Sequence, residues 1–170
     1  MTKHIMIDLE TMDTLPTTVV LSCGAVFFDP EAETIDKTHT FLAYPNLQEQ
    51  LDNGRTISAD TLLWWMKQSS EARGDWIKAR QVKLDTFREN FRTWCGDRMR
   101  VWSNGSCFDV AIMENLLEHT RIPWRYWDIR DTRTLWDIHP YDKSKKEETA
   151  HTALEDAIAQ AERVIESWPK

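Results

Sequence analysis

Between Lys3 and Glu10 apolar residues fall on every second position: Ile5, Ile7 and Leu9 alternate with His4, Met6, Asp8 and Glu10. A period of two is the mark of a β-strand with one buried face. It also sends the carboxylates of Asp8 and Glu10 to the same side of that strand. Two more β-rich runs follow, Thr17–Phe28 and Thr34–Ala43, joined by the turn-forming Asp29-Pro30-Glu31. This arrangement predicts a hairpin. A chain that opens with three strands must cover the resulting sheet with what comes later.

The later segments supply helices. Ser58–Gln68 reads as one, with Ser58 as N-cap and Leu62, Trp65 and Met66 spaced to share a face. Leu84–Trp94 reads as a second. Met99–Trp102 then reads as a short buried strand, Ser103–Phe108 as a loop, and Asp109–His119 as a helix with Val110, Met113 and Leu117 on one side. Tyr126–Asp131 is predicted as a further strand leading into a short helical piece around Leu135. The clearest helix comes last, where Leu154, Ala157, Ile158, Ala161, Val164, Ile165 and Trp168 form a continuous apolar stripe. Strands first, then helix and strand in alternation, predict one mixed α/β domain over residues 1–170, a central sheet flanked by helices. Its length suits a single core. The lysine-bearing segment Asp142–Thr149 is expected to be a mobile loop.

Charge and composition narrow the function. A net charge of −7 argues against a broad basic surface that grips duplex DNA through many phosphates, so any nucleic-acid contact must be local. Three cysteines, Cys23, Cys95 and Cys107, lack the spacing of a zinc site or a disulfide framework and are expected to be reduced thiols. The first apolar stretch is interrupted by Asp8 and is too short for a signal peptide or a spanning helix, which predicts a cytoplasmic protein. Nine tryptophans could stack on bases, but roughly three in four are expected in the core or on its rim, because each ring has so much apolar area to hide.

Three segments carry candidate chemistry. Along a strand, Asp8 and Glu10 stand about 6.6–6.8 Å apart at the backbone, close enough to share cations. Asp109 follows a strand and a loop, and ligand sites in open sheets gather at the carboxyl ends of strands. Asp is also a favoured N-cap, so capping is the simpler account of that residue alone. In His151-Thr152-Ala153-Leu154-Glu155-Asp156, Asp156 lies about 200° around the helix from Leu154, away from the apolar stripe. Complementing the helix dipole would equally explain the two acids there.

Read together, IMIDLETMDT, VWSNGSCFDVAIMENLL and HTALEDAIAQA give Asp-x-Glu, then Asp after a strand and loop, then His with Asp five residues on. This order resembles the DEDDh branch of the DnaQ-like 3′ to 5′ exonucleases. With the Trp-rich DTLLWWMKQS added, the chain is similar to the small phage and prophage exonucleases and related bacterial 3′ exoribonucleases. The resemblance spans the chain and implies an RNase H-like fold with a mixed five-stranded sheet. It further implies that Asp8, Glu10, Asp109 and Asp156 bind two Mg²⁺ or Mn²⁺ ions, that His151 is the general base, and that single-stranded DNA or RNA is hydrolysed from a free 3′ end to 5′-mononucleotides.

The chemistry is consistent. Converging carboxylates repel and raise one another's pKa unless cations neutralise them. An all-oxygen set suits Mg²⁺ or Mn²⁺, and a histidine titrating near 6.5 can take a proton at neutral pH. By the same resemblance, the backbone at Thr11 and Met12 meets the terminal nucleotide, Met12 or Leu15 packs on its base, and Phe108 shapes the pocket. Either Trp64 or Trp65 stands at its rim. Lys143, Lys145 and Lys146 are expected to be solvated or to reach the substrate backbone, and a homodimer is what the resemblance implies. Two other readings stay open: an RNase H-like endonuclease and a catalytically silent nucleic-acid-binding relative.

Overall fold

The computed structural model describes residues 4–141 and 152–169. Its five strands are β1 (His4–Thr11), β2 (Val20–Asp29), β3 (Thr34–Ala43), β4 (Arg100–Ser103) and β5 (Ile129–Asp131). They form one mixed sheet of order β3-β2-β1-β4-β5. The predicted hairpin is present, β2 pairing antiparallel with both β1 and β3. β4 lies parallel to β1, and β5 parallel to β4. β1, β3, β4 and β5 therefore run the same way, opposed by β2 alone, and their carboxyl ends reach one pole of the sheet.

β1 sits at the centre, which corrects the expectation of a strand with one buried face. Ile5 and Ile7 pack into a cluster with Phe87 and Phe91 of α4 (Leu84–Cys95) and Ile112 and Met113 of α5 (Asp109–Leu116). On the other side Met6 is just as buried, in a cluster with Val26, Trp102 and the small residues Ala157, Ala161 and Val164 of α7 (Ala153–Glu166). A strand between two helical layers has no water-facing side. Buried His4 is accommodated because Trp102 Nε1 donates to its Nδ1 at 3.0 Å. Burial, aided by Arg100, pushes its pKa down to about 4, so the ring is neutral.

The remaining elements pack around this frame. Ser58 caps α2 (Ala59–Lys67) as expected, accepting from the Thr61 N–H. Yet Leu62 and Met66 are exposed, and only Trp65 is buried. The helix meets the body narrowly: Trp65 Nε1 donates to Thr11 O and the Ser58 N–H to Met12 O, both at 2.8 Å. Two helices were not foreseen. Among the described side chains of α3 (Ser70–Ile77), only Ala72 is buried. The six-residue α1 (Leu47–Asp52) buries a glutamine, Gln50, whose amide accepts from Val20 N–H and donates to Val20 O, in place of a neighbouring strand. β5 is shorter than the predicted Tyr126–Asp131, since Tyr126–Asp128 form a 3₁₀ turn; α6 (Thr132–Ile138) follows it.

Of the tryptophans, Trp64 and Trp127 are the exposed ones, in line with the expected fraction in the core or at its rim. The three cysteines are free thiols, with Cys23 and Cys95 buried and Cys107 exposed. No helix among the described residues is long and apolar enough to cross a membrane. The expected loop Asp142–Thr149, with Lys143, Lys145 and Lys146, lies outside the described residues, as does His151.

Candidate active site

Even-numbered residues of β1 face α7, so the strand that buries Met6 delivers Asp8 and Glu10 toward the start of that helix. Asp156 is on its first turn. Carboxylate oxygens of Asp8, Glu10 and Asp156 all lie within 4.8 Å of one another. The neighbouring acid does not join them: Glu155 is exposed, and Thr152 Oγ1 donates to its Oε2 at 2.6 Å.

The approach of α7 depends on a glycine. Gly24 of β2 is the cross-strand partner of Asp8. A Cβ at this position would stand only 2.2–2.4 Å from the backbone of Ala153 and Leu154. No side chain fits, so Gly24 lets the beginning of α7 rest on the sheet where Asp156 can reach the β1 acids.

Asp109 comes from the opposite layer. It lies in the first turn of α5 rather than at its cap, which is Phe108. Its Oδ1 accepts the Leu9 N–H at 3.2 Å, joining α5 to the strand between Asp8 and Glu10. Capping therefore does not explain this buried aspartate. The four acids line one cleft of about 290 Å³ together with Leu9, Asn104, Phe108, Arg133 and Gln160.

Electrostatics within the cleft are strained. Burial raises the pKa of Asp8 well above the usual carboxylate range, and the charges of Asp109, Glu10 and Asp156 add to it. A 2.7 Å hydrogen bond from Gln160 Nε2 to Asp8 Oδ1 opposes that shift. Glu10 is pushed up to about 8 by burial and then by Asp156, Asp109 and Asp75. Asp109 is pushed up to about 7 by burial, against the stabilising Leu9 N–H. Hard oxygen donors within one ion's reach, with Asp8 and Glu10 disfavoured as bare anions, fit a divalent cation, which would remove the repulsion.

Other expected contacts take up different positions. Met12 is buried with Val19, Leu21 and Trp65, and its N–H and C=O are bonded to Val19 and Ser58. Its side chain packs in that small core, and Leu15, 52% exposed, is on the outside. Thr11 is buried, its carbonyl held by Trp65. Trp65 is core and Trp64 is exposed beside it, with ring centroids 5.1 Å apart. Phe108 lines the cleft.

Three cleft residues, Asn104, Arg133 and Gln160, were missed in the sequence. Gln160 stands one helical turn after Asp156, a spacing that shares a face. Asn104 and Arg133 follow the carboxyl ends of β4 and β5, where sites gather.

With this geometry established, comparison with known proteins becomes decisive. Residues 3–168 match the profile of the 3′–5′ exoribonuclease Rv2179c-like domain. The chain belongs to that family. This Rv2179c-like domain is 24% identical to the exodeoxyribonuclease of Enterobacteria phage T4 over 159 residues, 76% of this chain and 68% of the phage protein. In fold it resembles exonuclease I of E. coli, at TM-score 0.69 and 14% identity over 99% of this chain. Exonuclease I from Methylocaldum szegediense gives TM-score 0.68 and 15% identity over 100% of this chain. The Rv2179c-like domain spans 42% of the length of each of these two chains. The E. coli enzyme has also been solved in a zinc-bound complex with single-stranded DNA. The RNase H-like nuclease fold implied by the motifs is thus the fold observed.

Proposed function

We propose that this Rv2179c-like domain is a metal-dependent 3′ to 5′ exonuclease that releases 5′-mononucleotides from single-stranded DNA or RNA. The observation that carries the reading is the meeting of Asp8, Glu10 and Asp156 within 4.8 Å, with Asp109 in the same cleft. These carboxylates would hold two Mg²⁺ or Mn²⁺ ions. Bound there, the ions supply electrostatic activation of the attacking water and neutralise charge on the departing oxygen.

The chain's own groups do the rest. Gln160 fixes one oxygen of Asp8, and the Leu9 N–H fixes one of Asp109, so the acids keep their aim. Phe108 forms an apolar wall beside them. His151, at the position of the family's general base, takes a proton from water on a neutral ring nitrogen. Water attacks the last phosphodiester phosphorus, the bond to the penultimate 3′ oxygen breaks, and a 5′-mononucleotide leaves. Exposed Leu15 and Trp64 flank the terminal bases, with Thr11 behind them. A cytoplasmic location and a homodimer belong to the same proposal, checked by fractionation and sedimentation.

Matched 5′-labelled DNA and RNA oligonucleotides, digested with Mg²⁺ or Mn²⁺ beside a circular single strand, test it. The expected result is shortening from the 3′ end one nucleotide at a time, with the circle intact. Internal fragments from the circle would replace this reading with an endonuclease. Binding without nucleotide release in either ion would leave a silent relative.

A further inference from the structure

The cleft is lined by acids, yet one wall is a cation. Arg133, on the first turn of α6 just past β5, faces the same space as Asp8, Glu10, Asp109 and Asp156. Its guanidinium is held in place. Nε donates to Asn104 Oδ1 at 3.1 Å. Cζ, Nη1 and Nη2 stand 3.3, 3.5 and 3.5 Å from where a Cβ on Gly105 would be. Such near-equal distances mean that the plate lies flat on the glycine rather than edge-on. Gly105 has φ 113°, a backbone region that suits glycine, so the bare surface under the plate is built in.

Asp131 braces both partners. Its Oδ1 accepts the Arg133 N–H at 2.9 Å and its Oδ2 the Ser106 N–H at 2.6 Å, tying the start of α6 to the loop that carries the guanidinium. Among the described residues Arg133 forms no salt bridge, although it shares a cleft with four acids. Its charge favours the Asp109 carboxylate, but from beyond ion-pair distance. The guanidinium is fastened to a neutral amide and a glycine, which leaves its two terminal amino groups as the donors for a ligand.

We propose that Arg133 is a phosphate-binding residue, gripping a backbone phosphate of the substrate at or next to the bond that is cut. The inference rests on the nuclease reading above. A planar fork of donors matches phosphate oxygens two at a time. Two divalent ions would balance the four carboxylates and leave the phosphodiester's charge to Arg133. In a chain of net charge −7, a single positioned cation is also the local contact that nucleic-acid binding requires.

The test is anisotropy of a fluorescent single-stranded oligonucleotide, DNA and RNA in turn, with Ca²⁺ in place of Mg²⁺, over salt from about 50 to 200 mM. Arg133→Gln should weaken binding at least about tenfold at low salt and flatten the slope of log affinity against log salt by about 0.7. Arg133→Lys should keep the wild-type slope while binding more weakly, because charge survives and the fork does not. Lys37→Gln, which removes a surface lysine paired with Glu162, should change neither.

Calorimetry of Mn²⁺ on the oligonucleotide-free protein supplies an independent readout: Arg133→Gln should bind Mn²⁺ as well as wild type or more tightly. The proposal is overturned if Arg133→Gln binds oligonucleotide with wild-type affinity and slope, or if its lost affinity is matched by an equal loss of Mn²⁺ affinity. A wild type that binds neither oligonucleotide would overturn the nuclease reading itself, and this inference with it.

Discussion

Asp8 owes its aim to a neighbour with no charge of its own. Gln160 is buried, and its amide nitrogen holds one oxygen of the aspartate at 2.7 Å. Gln160→Leu should therefore cost about 10–100-fold in Mn²⁺ affinity or turnover, the usual effect of losing a group that orients a ligand. Unchanged calorimetry and kinetics would show that Asp8 needs no such support. Asp8→Asn and Asp156→Ala should abolish turnover in folded protein, and full activity in either would remove the carboxylates from the mechanism. His151→Ala should slow single-turnover cleavage by roughly 10²–10⁴-fold with Mn²⁺ binding intact; wild-type rates would return the histidine to a structural role. These residues differ in how visible they are in the sequence. A period of two is enough to put Asp8 and Glu10 on one face. Asp109 and Asp156 stand out only through their order along the chain, since capping and helix-dipole effects explain each of them alone. Gln160 is visible only relative to Asp156, one turn earlier on the same face, and so stays hidden until that aspartate's role is known. Arg133 follows a strand of only three residues, too short to announce a site.

At the level of elements, α7 is both the cover of one sheet face and the carrier of Asp156, and Gly24 sets how close it comes. Gly24→Ala should destabilise the protein by about 3 kcal/mol, the upper end for overpacking, because the added methyl meets backbone that cannot rotate away. In a chain of this length that is a fall of roughly 6–12 °C in melting temperature. Mn²⁺ affinity should fall as well, since displacement of α7 pulls Asp156 from the β1 acids; a variant with unchanged melting and metal binding would refute the close approach. α7 was legible because its stripe runs over several turns. α1 and α3 were not, because each is tied down by caps and single buried contacts rather than by an apolar face: Asn46 caps one and Ser69 the other. The same cause misassigned Leu62 and Met66, as helical spacing fixes which residues share a face but not whether anything lies opposite it. β1 was read as half-buried for the converse reason, since polar His4, Asp8 and Glu10 hid the second covered side.

For the whole molecule, the clustered acids link stability to pH and to metal. Glu10, Asp109 and Asp8 have folded-state pKa values above their ordinary ones, with Glu10 near 8 and Asp109 near 7. Between the ordinary carboxylate range and those values the folded state holds more protons than the unfolded, so metal-free stability falls as pH rises through that window. Melting of the metal-free protein should be higher at pH 5 than at pH 8, by about 2–4 °C for each kcal/mol of repulsion. Added Mg²⁺ should raise melting more at pH 8 than at pH 5, and a flat profile with no metal effect would mean that the acids do not share a site. The division of the cleft among distant segments has a further consequence for synthesis. Protein chains emerge from the ribosome N-terminal end first and begin folding as they do. When the first 150 residues are out, Asp8, Glu10 and Asp109 are present, but Asp156 is not, and the side of β1 that α7 will cover is still bare. On the nuclease reading, a chain that stops short of α7 has an incomplete site. Cutting ability arrives only when the late helix settles onto Gly24.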